Sequence, residues 1–381
     1  MKVRFRILAI SHIAALALAV AVAYADCPFT VEKATQVTKA AGISETALAN
    51  EKCVWVDPAG TVHLVWEDDR DGNLEIYYAS LTGQGISPET RITKSQDESN
   101  LPCIVGESDN VYILWQETIS KTPQLFYLRM VAGKEVVRKQ ITRTAMGASC
   151  PVAAVGPDKA VHIAYHQGVG NMTTIHYGKI VGDSLVAKTE ICTKHLGAFR
   201  PDIACDAAGR LLMVWYEGLD VKSRLWDGGA WQEELPVATN SNRSWRLSVS
   251  NISPGQWVAA WFDQGSRAMD VWAMFFDGKT WHDKSRVNTG QIGFYPTTVC
   301  FGPDKAMVVW EDQDKRGENV DYLLMMRCFD GKSWGVPAEI SRGPAMSRYA
   351  SLAATAGAVH AVWFSPLGGN REIFHTVLRK K

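Results

Sequence analysis

"VHLVWEDDRDGNLEIYYAS", Val62 to Ser80, reads as an apolar strand, a polar turn and an aromatic-rich strand, and "VHAVWFSPLGGNREIFHTV", Val359 to Val377, reads the same way. In both copies a Gly-Asn pair follows the Trp by six and seven residues, Gly72-Asn73 after Trp66 and Gly369-Asn370 after Trp363. Repetition at a fixed period decides architecture before any single residue does. Apolar runs ending on an aromatic recur at Trp66, Trp115, Tyr165, Trp215, Trp261, Trp310 and Trp363, at intervals of 49, 50, 50, 46, 49 and 53 residues. Ahead of each lies a short strand and a turn such as "VDPAG", "GPDKA" or "CDAAGR", rich in the residues that bend a chain. Behind each comes an aromatic-rich third strand such as "LFYLRM" or "YLLMMRCF", and then a fourth resembling "TRITK", "KQITR" or "AEISR".

Seven second strands are followed by only six fourth strands. The missing one stands at the other end, where "ATQVTK" from Ala34 parallels "ETRITK" from Glu89, with Val37 as its core residue. A ring accounts for this displacement, because an N-terminal strand that completes the last unit leaves no open sheet edge. The sequence therefore predicts an all-β, seven-bladed β-propeller whose N-terminal strand closes the last blade. Blades covered on both faces explain second strands that are apolar almost throughout. A six-bladed ring and an array of β-sandwiches are the alternatives, and the array leaves the displaced copy unexplained.

The chain opens with Lys2, Arg4 and Arg6, an apolar run from Ile13 to Val22, and Ala23-Tyr24-Ala25, the pattern of a secretory signal peptide over residues 1–25. The run is shorter than the ~20 residues a spanning helix needs. The expected mature protein is residues 26–381, a single propeller domain, secreted or periplasmic, monomeric and with no membrane insertion after cleavage. Forty basic and 40 acidic residues become 37 and 40 once Lys2, Arg4 and Arg6 are removed, so nothing in the charge invites nucleic acid. Of eight cysteines, Cys53, Cys103, Cys150, Cys205 and Cys300 fall on first strands. They read as buried small hydrophobes or as disulfide partners, and no spacing matches a zinc module.

The wording of the repeat, with Pro at the first strand, "VHLVW", "DRDGN", "EIYY" and "RIT", resembles the sialidase-like BNR-repeat propellers of bacteria and archaea over nearly all of the mature chain. Three turns, "WDGGAW" (Trp226 to Trp231), "FDGKTW" (Phe276 to Trp281) and "FDGKSW" (Phe329 to Trp334), resemble Asp-boxes, although the Trp follows the Asp by four residues where the family has five. That resemblance speaks to fold more than to activity. "GKT" at Gly278 and "GKS" at Gly331 lack the Gly of a phosphate loop, Ala273 and Met326 standing in its place. His63, His162 and His360 share one place three residues before the aromatic and read as packing residues. No metal and no cofactor is called for.

First-strand starts and second-strand ends share one rim. After the aromatics that rim holds Asp68, Glu117, Gln167, Glu217, Asp263, Asp312 and Ser365, and at first-strand starts "FRP" (Phe199, Arg200, Pro201), Trp245-Arg246, Phe294-Tyr295 and Arg348-Tyr349. Aromatic faces stack on sugar rings and guanidinium groups pair with carboxylates, so the expected ligand is a glycan or glycoconjugate, an acidic sugar in particular, held by Phe199, Arg200, Trp245, Arg246 and Arg348. Acids at strand ends also serve as turn formers and tie blades together. The sialidase resemblance implies three Arg on the sialate carboxylate, for which Arg200 is the matching position and Arg246 and Arg348 the companions. It also implies a Tyr-Glu nucleophile pair, Tyr295 or Tyr349 with Glu217, and an acid at Asp68 or Asp263. Three functions stay open: a glycan-binding module, an exo-acting glycoside hydrolase of sialidase type, and a cell-envelope interaction scaffold.

Overall fold

The computed structural model describes residues 27–48, 52–193, 197–241, 246–264, 268–290, 292–316, 319–341 and 346–381; the expected signal peptide, residues 1–25, and Trp245 lie outside them. Each repeat folds into one antiparallel sheet, giving seven blades: five of four strands, a first blade whose strands are broken into shorter pieces, and a last blade completed from the other end of the chain. Among the described residues the helical content is a single 3-10 turn, Gly170–Met172. The inner strands touch in cyclic order, and that of the seventh blade, Arg348–Ala354, meets that of the first, Val54–Val56.

The closure is written in hydrogen bonds. In six blades the fourth strand offers a side-chain acceptor to a third-strand N–H: Thr93 to Ile76, Thr142 to Leu125, Cys192 to Ile175, Asn288 to Val271 and Ser341 to Leu324, with Thr38 taking the N–H of Ile373 at 2.9 Å. The residue before each acceptor returns its own N–H to the same third-strand residue, and Val37 does so to the Ile373 carbonyl at 2.7 Å. Thr38 is thus the seventh blade's copy of the Thr in "RIT". Phe29–Val31 extends the pairing along the last strand, Asn370–Lys380. Blade 4 places Ala238 at the equivalent position.

Alternate residues of each second strand face opposite neighbours. Trp66 packs with Val362, Phe364 and Ile373 of the preceding blade, whereas Val65 packs with Ile104, Ile113 and Trp115 of the following one. All seven aromatics are 0–1% exposed. The three aligned histidines bond to the third strand fifteen residues on: His63 to Tyr78 and His162 to Tyr177 at 2.8 Å, His360 to His375 at 3.0 Å. The three Asp turns share one geometry, each Asp oxygen accepting backbone N–H groups two and three residues ahead, as Asp277 does from Lys279 and Thr280.

Candidate functional site

Five inner strands carry the same kink. Leu101, Cys150, Arg200, Tyr295 and Tyr349 have φ between 45° and 54°, in the left-handed region that side chains with a Cβ occupy at a cost. At each one the ladder slips, so that two inner-strand residues oppose the single aromatic of the second strand. These are β-bulges. In four cases the next residue is Pro, namely Pro102, Pro151, Pro201 and Pro296; Pro has no N–H to give to the ladder and is found in sheets at bulges and edges. In blade 1 the pairing with the second strand is interrupted between Glu45, opposite Glu67, and Val54, opposite Leu64.

Each bulge meets, in the preceding blade, the residue after the aromatic, and at three of the five that residue accepts the bulge N–H. Glu67 accepts the Leu101 N–H at 2.6 Å, Gln116 the Cys150 N–H at 3.2 Å, and Glu311 the Tyr349 N–H at 2.8 Å. At the same place Phe262 meets Tyr295 edge-on, ring centroids 5.4 Å apart. His166 occupies it beside Arg200, its ring lowered to about 4 by burial and by that guanidinium.

The kinks bring distant blades together. Arg200 of blade 4 is in electrostatic reach of Cys150, Tyr295, Tyr349 and Arg246 of blades 3, 6, 7 and 5, a meeting that only the central channel permits. Tyr295 and Tyr349 lie edge to face at 5.2 Å, and Arg348 rides over the rings of Tyr295, Tyr322 and Tyr349 at 4.9–5.6 Å while its Nε donates to Glu311 at 3.0 Å. Arg246 is 0% exposed, and its Nη2 donates across the channel to the Ala350 carbonyl at 2.8 Å. Burial raises Tyr349 to about 12, and burial together with Glu311 raises Tyr295, so both phenols are protonated at neutral pH. Burial lowers Arg200, though a guanidinium keeps its charge in a protein. The floor beneath is Lys52 of blade 1, whose Nζ reaches Asp202 at 2.8 Å and the carbonyls of Ala153 and Ile203. Below it the channel opens into a cavity of about 420 Å³ lined by the seven inner strands.

Five sequence candidates therefore converge at this mouth: Arg200, Arg246, Tyr295, Arg348 and Tyr349. The others lie elsewhere. Asp68 accepts the Trp66 indole at 3.0 Å together with Ser44 and Arg70, and the latter two hold its carboxyl low against the effect of burial. Glu217 accepts the Trp215 indole at 3.3 Å, next to Cys192 of the preceding blade. Asp263 stands at the same step after Trp261, its carboxyl raised by burial. Phe199 packs between blades 4 and 5. The acidic ring is in large part a ring of indole acceptors, as Glu117, Asp312 and Ser365 confirm. Glu67, His166 and Glu311, one residue earlier, are absent from the sequence candidates; the Pro after Leu101 and Arg200 is a signal for the first two, and Tyr349, followed by Ala350, carries none for Glu311.

No protein-family model and no curated protein sequence matches the chain. Solved structures do match. A PL25 ulvan lyase superposes with a TM-score of 0.64 at 10% identity, covering 90% of this chain and 95% of its own. The chain shares the fold of that polysaccharide lyase. The polysaccharide lyase Uly1 follows with a TM-score of 0.59 at 7% identity over 92% of this chain and 100% of that one. The phage phi92 endosialidase gives 0.56 at 10% identity over 93% and 70%. Propellers that act on glycans thus share this architecture.

Proposed function

We propose that the protein binds an acidic glycan at the channel mouth, with Arg200 taking the sugar's carboxylate or sulfate and Tyr295 and Tyr349 meeting its ring. The observation that carries this is the convergence, from four blades, of three kink residues, Arg200, Tyr295 and Tyr349, with Arg246 and Arg348. Two carboxylates, Glu311 and Glu67, stand against three guanidinium groups around this mouth, which favours an anion over a neutral sugar. The same fold is recorded with an acidic, sulfated ligand: the PL25 ulvan lyase was solved bound to -[GlcA(1-4)Rha3S]-.

Cleavage of the bound glycan is the second reading, favoured by the two phenols. Held protonated by burial, Tyr295 and Tyr349 suit proton donation to a departing sugar oxygen better than nucleophilic attack. Glu217, the partner that the sialidase resemblance implies, accepts the Trp215 indole, whereas Glu311 is the carboxylate that acts on both tyrosines.

The test is titration of the purified chain with glucuronate-bearing and neutral oligosaccharides. Arg200→Ala is expected to weaken the acidic ligand by roughly 1.5–3 kcal/mol, the range for a charge-assisted hydrogen bond, and to leave neutral sugars unchanged. Lys279→Ala and Lys332→Ala, exposed on outer turns, should change neither. Absence of binding across a glycan array, or equal losses from the two lysines, would overturn the assignment. Turnover that survives Arg200→Ala and vanishes in Tyr349→Phe would establish cleavage.

A further inference from the structure

The propeller's seam holds a second feature, unrelated to the mouth. Cys27 lies two residues before the first residue of the closing strand Phe29–Val31, and Cys328 lies on the third strand of blade 6, Asn319–Phe329. Their Sγ atoms are 3.5 Å apart, and Cys27 Sγ is also 3.8 Å from Met326 Sδ. The placement is held from both sides. Phe29 packs edge-on against Phe301 at 5.0 Å, within a cluster that contains Met326, Cys328 and Leu378, and the Lys381 N–H caps the Pro28 carbonyl at 2.8 Å. Cys27 is half-buried and opens onto a surface cleft of about 480 Å³ lined by Phe29, Val31, Met326, Pro337 and Lys381; Cys328 is 4% exposed.

We propose that Cys27 and Cys328 form a disulfide that fastens the closing strand to blade 6. An S–S bond needs the sulfurs at ~2.05 Å, and Cys27, outside the strand ladder, is the partner whose backbone carries no ladder bond to hold it back from that approach. The oxidant is a low-molecular-weight or protein disulfide. The Cys27 thiolate, the one that solvent reaches, attacks it, forming a mixed disulfide and releasing one thiolate. Cys328 then gives up its proton and displaces the second sulfur of the oxidant. One S–S bond forms in the protein, one breaks in the oxidant, and two electrons and two protons pass to the oxidant's thiols. The product closes the chain between residues 27 and 328 into a covalent loop, which restricts the unfolded ensemble more than a short loop would.

The experiment incubates the full chain with oxidised glutathione, blocks free thiols under denaturing conditions without reduction, and maps the peptides by mass. The expected result is a peptide containing Cys27 linked to one containing Cys328, with two fewer thiols blocked than in the reduced protein. The oxidised protein should also melt several degrees above the reduced one, and Cys27→Ser, a change at a half-buried position, should abolish that difference. Eight blocked thiols, linkage of either residue to another cysteine such as Cys53 or Cys103, or a melting difference that persists in Cys27→Ser would each overturn the proposal. Cys328→Ser repeats the comparison from the other partner.

Discussion

Glu311→Gln tests whether the mouth is built on one buried charge. Glu311 is 0% exposed, with Oε1 on the Tyr349 N–H at 2.8 Å and Oε2 on Arg348 Nε at 3.0 Å. Gln keeps the shape and one acceptor, so the Tyr349 bond survives while an amide N–H is turned toward the Arg348 donor, or the reverse if the amide flips. A fully buried pair broken this way costs ~3–5 kcal/mol. Arg348 is not fully buried, its side chain being 26% exposed and resting on three tyrosine rings, so the loss should fall to about 2 kcal/mol, near the value of one charge-assisted hydrogen bond. Part of that is strain, because Tyr349 at φ 54° is held by Glu311 on one side and by Thr46 on its carbonyl at 2.6 Å on the other. Urea unfolding with an unchanged m-value measures it, and acidic-glycan affinity should fall alongside as Arg348 loses its anchor. A loss below ~0.5 kcal/mol, within the usual effect of a surface substitution, would refute the claim that Glu311 organises the mouth.

Two further outcomes follow from the same structure. Thr38→Val keeps the volume but removes the acceptor of the Ile373 N–H and the donor to Glu372 at 2.6 Å, so it should cost ~2–4 kcal/mol by denaturant unfolding, and a neutral result would mean that the N-terminal strand does not close the ring. Burial raises Glu67 to about 7, so the folded chain keeps a proton that the unfolded chain has released, and stability should fall as pH rises from about 4.5 to about 7 and level off above. The fall should be on the order of 2 kcal/mol, less than the shift alone implies because part of the side chain meets solvent; Glu67→Gln should flatten it, and melting curves that keep their slope in Glu67→Gln would assign the dependence elsewhere.

The ring was legible because its signal is periodic. Trp66, Trp115 and Trp363 mark the same place in each unit, and the displaced Val37-Thr38 could be matched to Ile92-Thr93 without any structure. The mouth was legible only in part. Arg200, Tyr295 and Tyr349 stand out in sequence because they begin first strands, yet the acids that stand out, Asp68, Glu217 and Asp263, lie one step late, where an indole needs an acceptor. A strand's side chains alternate between its faces, so a shift of one residue exchanges the blade-facing acid for the one that holds the kink. Nothing in the acids themselves distinguishes Glu311 from Asp312. The difference lies in the bulge of the next blade, a contact 38 residues away in the chain.

The kinks have one more consequence. Leu, Cys, Arg, Tyr and Tyr all occupy the same backbone geometry, at positions 101, 150, 200, 295 and 349, and what holds three of them is a bond to their main-chain N–H from the blade before. The side chain at a kink is therefore cargo, not framework. Each of these five blades offers the channel one interchangeable position, so the ligand chemistry of such a ring can be rewritten a blade at a time, as a lock is re-keyed pin by pin, while the barrel that carries the pins stays as it was.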